Sequence, residues 1–218
     1  ETRRKLYAMT EGWPVAVQML RSAAHDAGDV DRILKDLTGD AGQMAAYLSE
    51  EVLGRLEPGL QEFLMDIALV DRIDCALANH LRERDDGHAR FGQARALDAL
   101  LLPIDSMEGT FRLHPLFREH LYERLLATRP DRGRALHLRA ADWFAECGDL
   151  VEAVRHCVQA GAEAHAADIV HRAGGVMLWF REGLSRLRAI LRLLGEGAVL
   201  ADWRLAMIRC LLSVKDGE

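Results

Sequence analysis

The chain has no stretch approaching the roughly 18 uninterrupted apolar residues that a membrane-spanning helix needs. Its first ten residues, ETRRKLYAMT, contain no apolar segment of the kind found in a secretory leader. Both absences point to a cytoplasmic protein. Cysteine is scarce: four residues, at 75, 147, 157 and 210, with no CxxC pair. A four-ligand zinc site needs close pairs, so nothing in this spacing suggests a metal, and the four read as reduced thiols in a core. No Gly-Lys dipeptide occurs, hence no GxxxxGK[ST] phosphate loop, and no hydrophobic strand ends in Asp-Asp to hold magnesium. GxSxG and HExxH are missing as well. An enzyme reading has no catalytic residues to stand on. Basic excess is also lacking: 28 Lys and Arg face 34 Asp and Glu, giving a formal net charge of −6. That sign disfavours a stand-alone nucleic-acid binder.

What is present is ordinary soluble-protein material. The 218 residues are 50% hydrophobic and 28% charged, enough for one or two domains with a real core. The start at Glu1 rather than Met reads as a piece of something longer. The most informative stretch is TFRLHPLFREHLYERLL, Thr110 to Leu126. Apolar/polar alternation over Thr110–Leu113 ends at His114-Pro115, and a helix then starts with Pro115 at its first position. Leu116, Phe117, His120, Leu121 and Leu125 recur on it at helical spacing.

In chain order, Thr10-Glu11-Gly12-Trp13-Pro14 reads as a turn entering a helix, Val30–Leu37 as a short helix, and Asp40 to Leu56 as a long one closed by Glu57-Pro58-Gly59. Leu60–Val70 has a buried helical face, and Asp74 caps a short helix over Ala76–Arg82. Glu83–Gly92 is polar and turn-rich, and Ala94–Leu102 is helical. Pro103-Ile104-Asp105, a Ser-Met-Glu-Gly turn and Thr110–Leu113 make a hairpin. Helix, helix, hairpin is the element order of a winged helix. From Gly133 onward only short helices follow, with Gly148 at a left-handed helix stop and small Ala140, Ala153 and Ala160 allowing close helix approach. This spacing is similar to tetratricopeptide repeats. Trp143-Phe144, Trp179-Phe180 and Trp203 recur at repeat distances and read as its core.

TEGWPVAVQML (Thr10–Leu20), YLSEEVLGRLEPGLQEFL (Tyr47–Leu64), RLHPLFREHLYERL (Arg112–Leu125) and HLRAADWFAECGDLVEAVRHCVQAG (His137–Gly161) follow one another in this order. Together they resemble the middle of MalT-like regulators, large ATP-binding LuxR-type transcription activators of the signal-transducing NTPase class. The resemblance implies a mainly α chain. Residues 1–46 would be a helical lid segment, 47–129 a winged helix with a small β-hairpin wing, and 130–218 the start of an α-solenoid of tetratricopeptide-like helix pairs acting as sensor. It also implies a P-loop domain before this stretch and a DNA-binding helix-turn-helix after it.

By the same resemblance, Gly12 and Pro14 match the lid's GxP motif, which packs near the adenine. His114 matches the histidine of the MHD motif, which reaches the β-phosphate of ADP from the winged helix. Pro115 stands where related NTPases have Asp. A helix N-terminus suits phosphate and holds a nearby imidazole neutral. The plain alternatives are a Pro that opens a helix and a His that ends the wing strand and caps its helix. The expected partners are the protein's own P-loop domain with ATP or ADP and Mg, an inducer on the solenoid, DNA only through the helix-turn-helix, and further copies when active. No cofactor, metal ligand or catalytic residue is expected within the stretch itself. Two other functions compete. In one, the protein is an interaction module with the winged helix as scaffold. In the other, Ala94–Leu102 reads DNA directly, which its single Arg95 against Asp98 disfavours.

Overall fold

The computed structural model describes residues 53–97, 100–105 and 109–216. The lid segment, Gly12, Pro14 and the beginning of the helix expected from Asp40 lie outside these residues. The described part is mainly helical with one two-stranded antiparallel sheet. It divides into two units. The first runs through Asn79 and resumes over Arg84–Thr128; the second is Arg129–Glu218, with which His80–Glu83 group.

In the first unit, α1 (Pro58–Ile67) opens with Pro58 at its first position and buries Phe63, Leu64 and Ile67 completely. Asp74 caps α2 (Cys75–Arg82), its Oδ1 accepting the Leu77 N–H at 2.8 Å. The third helix differs from expectation. It is α3, Gly87–Ala94, placed in the segment expected to be turns, and a short 3₁₀ turn, Arg95–Leu97, follows it. The cause is a non-local cap. Asn79 of α2 accepts the Gly87 N–H through Oδ1 and donates to Asp85 through Nδ2, both at 2.8 Å.

Residues 101 and 102, expected at a helix end, instead begin strand β1 (Leu101–Asp105), which pairs with β2 (Thr110–Leu113) in the register Leu101↔Leu113, Leu102↔Arg112 and Pro103↔Phe111. Ile73 adds a bridge to Phe111 on the other side of β2. The expected hairpin is therefore present, lengthened by the two leucines. Then α4 (Pro115–Thr128) buries Phe117, Leu121 and Leu125.

The second unit is a stack of helices: α5 (Pro130–Glu146), α6 (Leu150–Gln159), α7 (Glu163–Arg172), α8 (Leu178–Ala201) and α9 (Trp203–Asp216). Helix α8 is broken by non-helical backbone at Gly183 and Gly195. The turn from α5 to α6 is a Schellman stop, as Gly148 implied. Its φ is +82°, its N–H donates to Ala145 O at 3.1 Å, and the Asp149 N–H reaches Phe144 O at 2.8 Å. Asp149 then caps α6. Ala140 and Ala153 are fully buried and Ala160 nearly so, at the close helix approaches.

Two core expectations fail. All four cysteines are free, but only Cys157 is buried; Cys147 and Cys210 are exposed. Phe180 and Trp203 are 65% and 70% exposed rather than packed inside. Helical spacing locates a face without saying whether anything covers it.

Candidate nucleotide-sensing junction

The strand–helix junction at His114 is fixed from both sides. The His114 N–H donates to Leu100 O at 2.8 Å, extending the ladder by one bond. Its carbonyl accepts the Arg118 N–H, also at 2.8 Å, as the first bond of α4. His114 is thus the N-cap residue, and Pro115 follows at N1, where the missing N–H costs nothing. The strand beneath it is anchored by rings. Phe111 stacks on Phe91 of α3 with centroids 4.6 Å apart, and Phe91 meets Phe63 of α1 edge-on at 5.1 Å. Offset and edge-to-face pairs of this kind fix geometry as well as burying area. The whole His114 residue is only 2% exposed. The backbone there is held from both sides, and the side chain is enclosed at the end of the wing strand. Gly12 and Pro14, the other two residues expected at a nucleotide, lie outside the described residues, so the structure does not bring the three together.

An open cleft of about 650 Å³ lies on the same unit, lined by Glu57, Leu60, Asp86, Ala89, Arg90 and Gln93. Among the described residues that line it, the one cation, Arg90, is already engaged. Arg90 donates to Asp86, Glu57 and Gln93 at 3.0–3.1 Å, and the Asp86 and Glu57 carboxylates raise its pKa further. The cleft carries more negative than positive charge, a poor surface for an anion.

The second unit holds a pair that the sequence reading missed. His137 of α5 and His156 of α6, 3% and 5% exposed, meet through their Nδ1 atoms at 2.8 Å, and Phe144 stacks parallel on the His156 ring. One Nδ1 must donate and the other accept, so the accepting ring is neutral. Burial pushes His137 down to about 4. Burial, with the neighbouring His137 and Arg155, pushes His156 down to about 3. The sequence did carry a signal: both histidines fall on helix faces whose other buried residues, Gly133, Leu136, Ala140 and Ala141 on α5 and Leu150, Ala153, Val154 and Cys157 on α6, bear no charge. Next to His156, the Cys157 thiol is pushed up to about 12 by burial and by Asp142 and Glu163. Such a thiol is not a nucleophile. Among the described residues no cluster of three or more His, Cys, Asp or Glu could hold a metal ion, and no helix is long and apolar enough to cross a membrane.

Residues 49–133 match the MalT winged helix domain. The HTH-type transcriptional regulator MalT of Vibrio cholerae is 27% identical over 215 residues, covering 97% of this chain and 24% of that protein. The MalT of Cronobacter sakazakii is 29% identical over 208 residues, 92% of this chain and 22% of its own length. The serine/threonine-protein kinase PknK of Mycobacterium tuberculosis is 35% identical over 167 residues, 77% of this chain and 15% of the kinase. The chain therefore spans less than a quarter of the length of these relatives. The chain is MalT-like: the MalT winged helix domain lies at residues 49–133, and the likeness to the MalT proteins extends over most of the chain.

Proposed function

We propose that this segment is the regulatory middle of an ATP-dependent transcription activator of the LuxR type. In this reading the lid and the winged helix close over ATP or ADP with Mg held by a P-loop domain of the same cytoplasmic protein. The helical stack, read as tetratricopeptide-like, senses an inducer, and DNA is bound elsewhere in the protein. The observation that carries the reading is the placement of His114: N-cap of a 14-residue helix, bonded on both sides, at the end of a wing strand clamped by three phenylalanines. A helix start held this firmly can report a phosphate's presence as a change of state rather than as local side-chain motion. Its 2% exposure means that such a contact requires the junction to open, which is what a two-state clamp does. Direct DNA reading by the winged helix gains no support. The helix before the hairpin is α3, whose one arginine, Arg90, is tied to Asp86 and Glu57.

The test uses the longer protein with its P-loop domain. His114→Asp should weaken retention of ADP at least tenfold and raise transcription in the absence of inducer, with His114→Gln intermediate. Circular dichroism establishes that each variant is folded. Unchanged ADP affinity and basal transcription in a folded His114→Asp protein would refute the role.

A further inference from the structure

Between Asp168 and Glu196 the charge of the chain reverses. Arg172, Arg181, Arg186, Arg188 and Arg192 stand there against one carboxylate, Glu182, in a chain whose formal net charge is −6. Arg172, Arg181 and Arg192 are exposed. Arg186 pairs with Glu182, yet its side chain stays 50% exposed while that of Glu182 is 15% exposed. The backbone arranges these cations. Non-helical φ/ψ at Gly183 and Gly195 isolates residues 184–194 as one helical segment of α8. Leu187, Ile190 and Leu194 turn inward and are buried. With about 3.6 residues per turn, Ser185, Ala189 and Arg192 then fall on the outer face, with Arg186 on one flank and Arg188 on the other. The result is a shallow track roughly 16 Å long, floored by two small side chains and edged by guanidinium groups. A ring stands at its head. Phe180, 65% exposed, lies three residues before the Gly183 break. It leans on Trp179, with centroids 3.8 Å apart, and Trp179 packs on the core and carries the Lys215 ammonium over its ring at 4.8 Å. Phe180 is thus the ring of the two with an open face.

We propose that residues 180–192 bind a single strand of nucleic acid, its phosphates along the arginine-edged track and one unpaired base stacked on Phe180. Three features select that occupant. The planar fork of arginine pairs with phosphate oxygens bidentately. Cations on two sides of a small-residue floor follow a narrow chain of negative charges rather than the plane of a bilayer. An open aromatic face beside such a track offers a stacking surface that every base can use, and that an acidic peptide without rings does not need. Stacking takes an unpaired base, so a duplex fits less well. The inference concerns the helical stack and no nucleotide at the winged helix, so its failure leaves the reading of His114 where it stands.

Fluorescence anisotropy of fluorescein-labelled oligo(dT) and oligo(U), each about 12 nucleotides long, titrated with the 218-residue chain, tests it. Binding should show a Kd on the order of 10⁻⁵ M at about 50 mM salt, and the tighter of the two identifies the strand as DNA or RNA. The logarithm of the affinity should fall against the logarithm of salt with a slope of about −3, from four arginines at about 0.7 each. Arg181→Glu/Arg192→Glu, changed at two exposed sites, should bind at least tenfold more weakly and with about half that slope. Phe180→Ala should weaken binding at least fivefold with the slope unchanged, the mark of a stacking contact. Circular dichroism establishes that each variant is folded. Absence of binding at the lowest salt overturns the inference, as does a Phe180→Ala protein that binds like the wild type. A duplex of the same length held as tightly overturns it too. So does displacement of the oligonucleotide by phosphatidylglycerol vesicles or by poly-glutamate at equal concentration of charge, since a membrane or an acidic peptide is then the better occupant.

Discussion

Acid should unfold the helical stack earlier than its composition suggests, because of His137 and His156. Folding lowers the proton affinity of both imidazoles, to about 4 and about 3, from an ordinary value near 6.5. Above pH 6.5 both are neutral whether the chain is folded or not, and the pair's contribution is fully present. As pH falls below 6.5 the unfolded chain takes up protons that the folded chain refuses, so stability is lost progressively until the folded values are reached. At pH 4.5 each unfolded imidazole lies about 2 units below its own midpoint. At about 1.36 kcal/mol per unit, the two together cost up to about 5 kcal/mol, comparable with the whole stability of a small domain.

The measurement is urea unfolding followed by circular dichroism at half-unit steps from pH 7.5 to 4.5, for the wild type and for His137→Leu/His156→Leu. Leucine replaces both imidazoles with apolar side chains of similar bulk on faces that are already apolar. The double variant should lose several kcal/mol less over that range, while differing little at pH 7.5. His156→Leu alone removes the 2.8 Å bond and one titrating ring, so about half of the acid sensitivity should disappear. Parallel stability–pH curves for wild type and double variant would refute the reasoning, because the slope would then come from groups outside the pair.

Two further outcomes follow from packing and backbone geometry. Phe91→Ala removes the middle ring of the Phe63–Phe91–Phe111 stack at a site 3% exposed, and should cost the first unit about 3–4 kcal/mol in denaturant unfolding; a loss below about 1 kcal/mol would show that the stack does not anchor β2. Gly148→Ala meets nothing within 4 Å, so its cost is confined to the +82° backbone. It should destabilise the second unit by about 1 kcal/mol, roughly 4 °C in midpoint, and an unchanged midpoint by calorimetry would contradict the Schellman stop.

The sequence alone determined the features whose causes are local. Alternation over Thr110–Leu113 followed by His114-Pro115 dictates a strand turning into a helix, since proline fixes φ and loses only an N–H that no helix start would use. Asp74 marks α2 by accepting an amide three residues on, and Gly148 marks the end of α5 because a left-handed residue favours glycine. The order of these elements already resembled a MalT-like regulator. Only the tertiary structure decided what depends on partners far along the chain. Gly87 begins a helix because Asn79, eight residues away, caps it; read locally, Asp85-Asp86-Gly87 is a turn. Leu101 and Leu102 extend because β2 pairs with them, although their own propensity favours helix. Trp203 and Leu205 look equally apolar in one dimension, yet one is 70% exposed and the other 1%. His137 and His156 stand 19 residues apart and become a neutral pair only when α5 and α6 exclude water around them. Burial is a property of neighbours, and the string of residues does not name them.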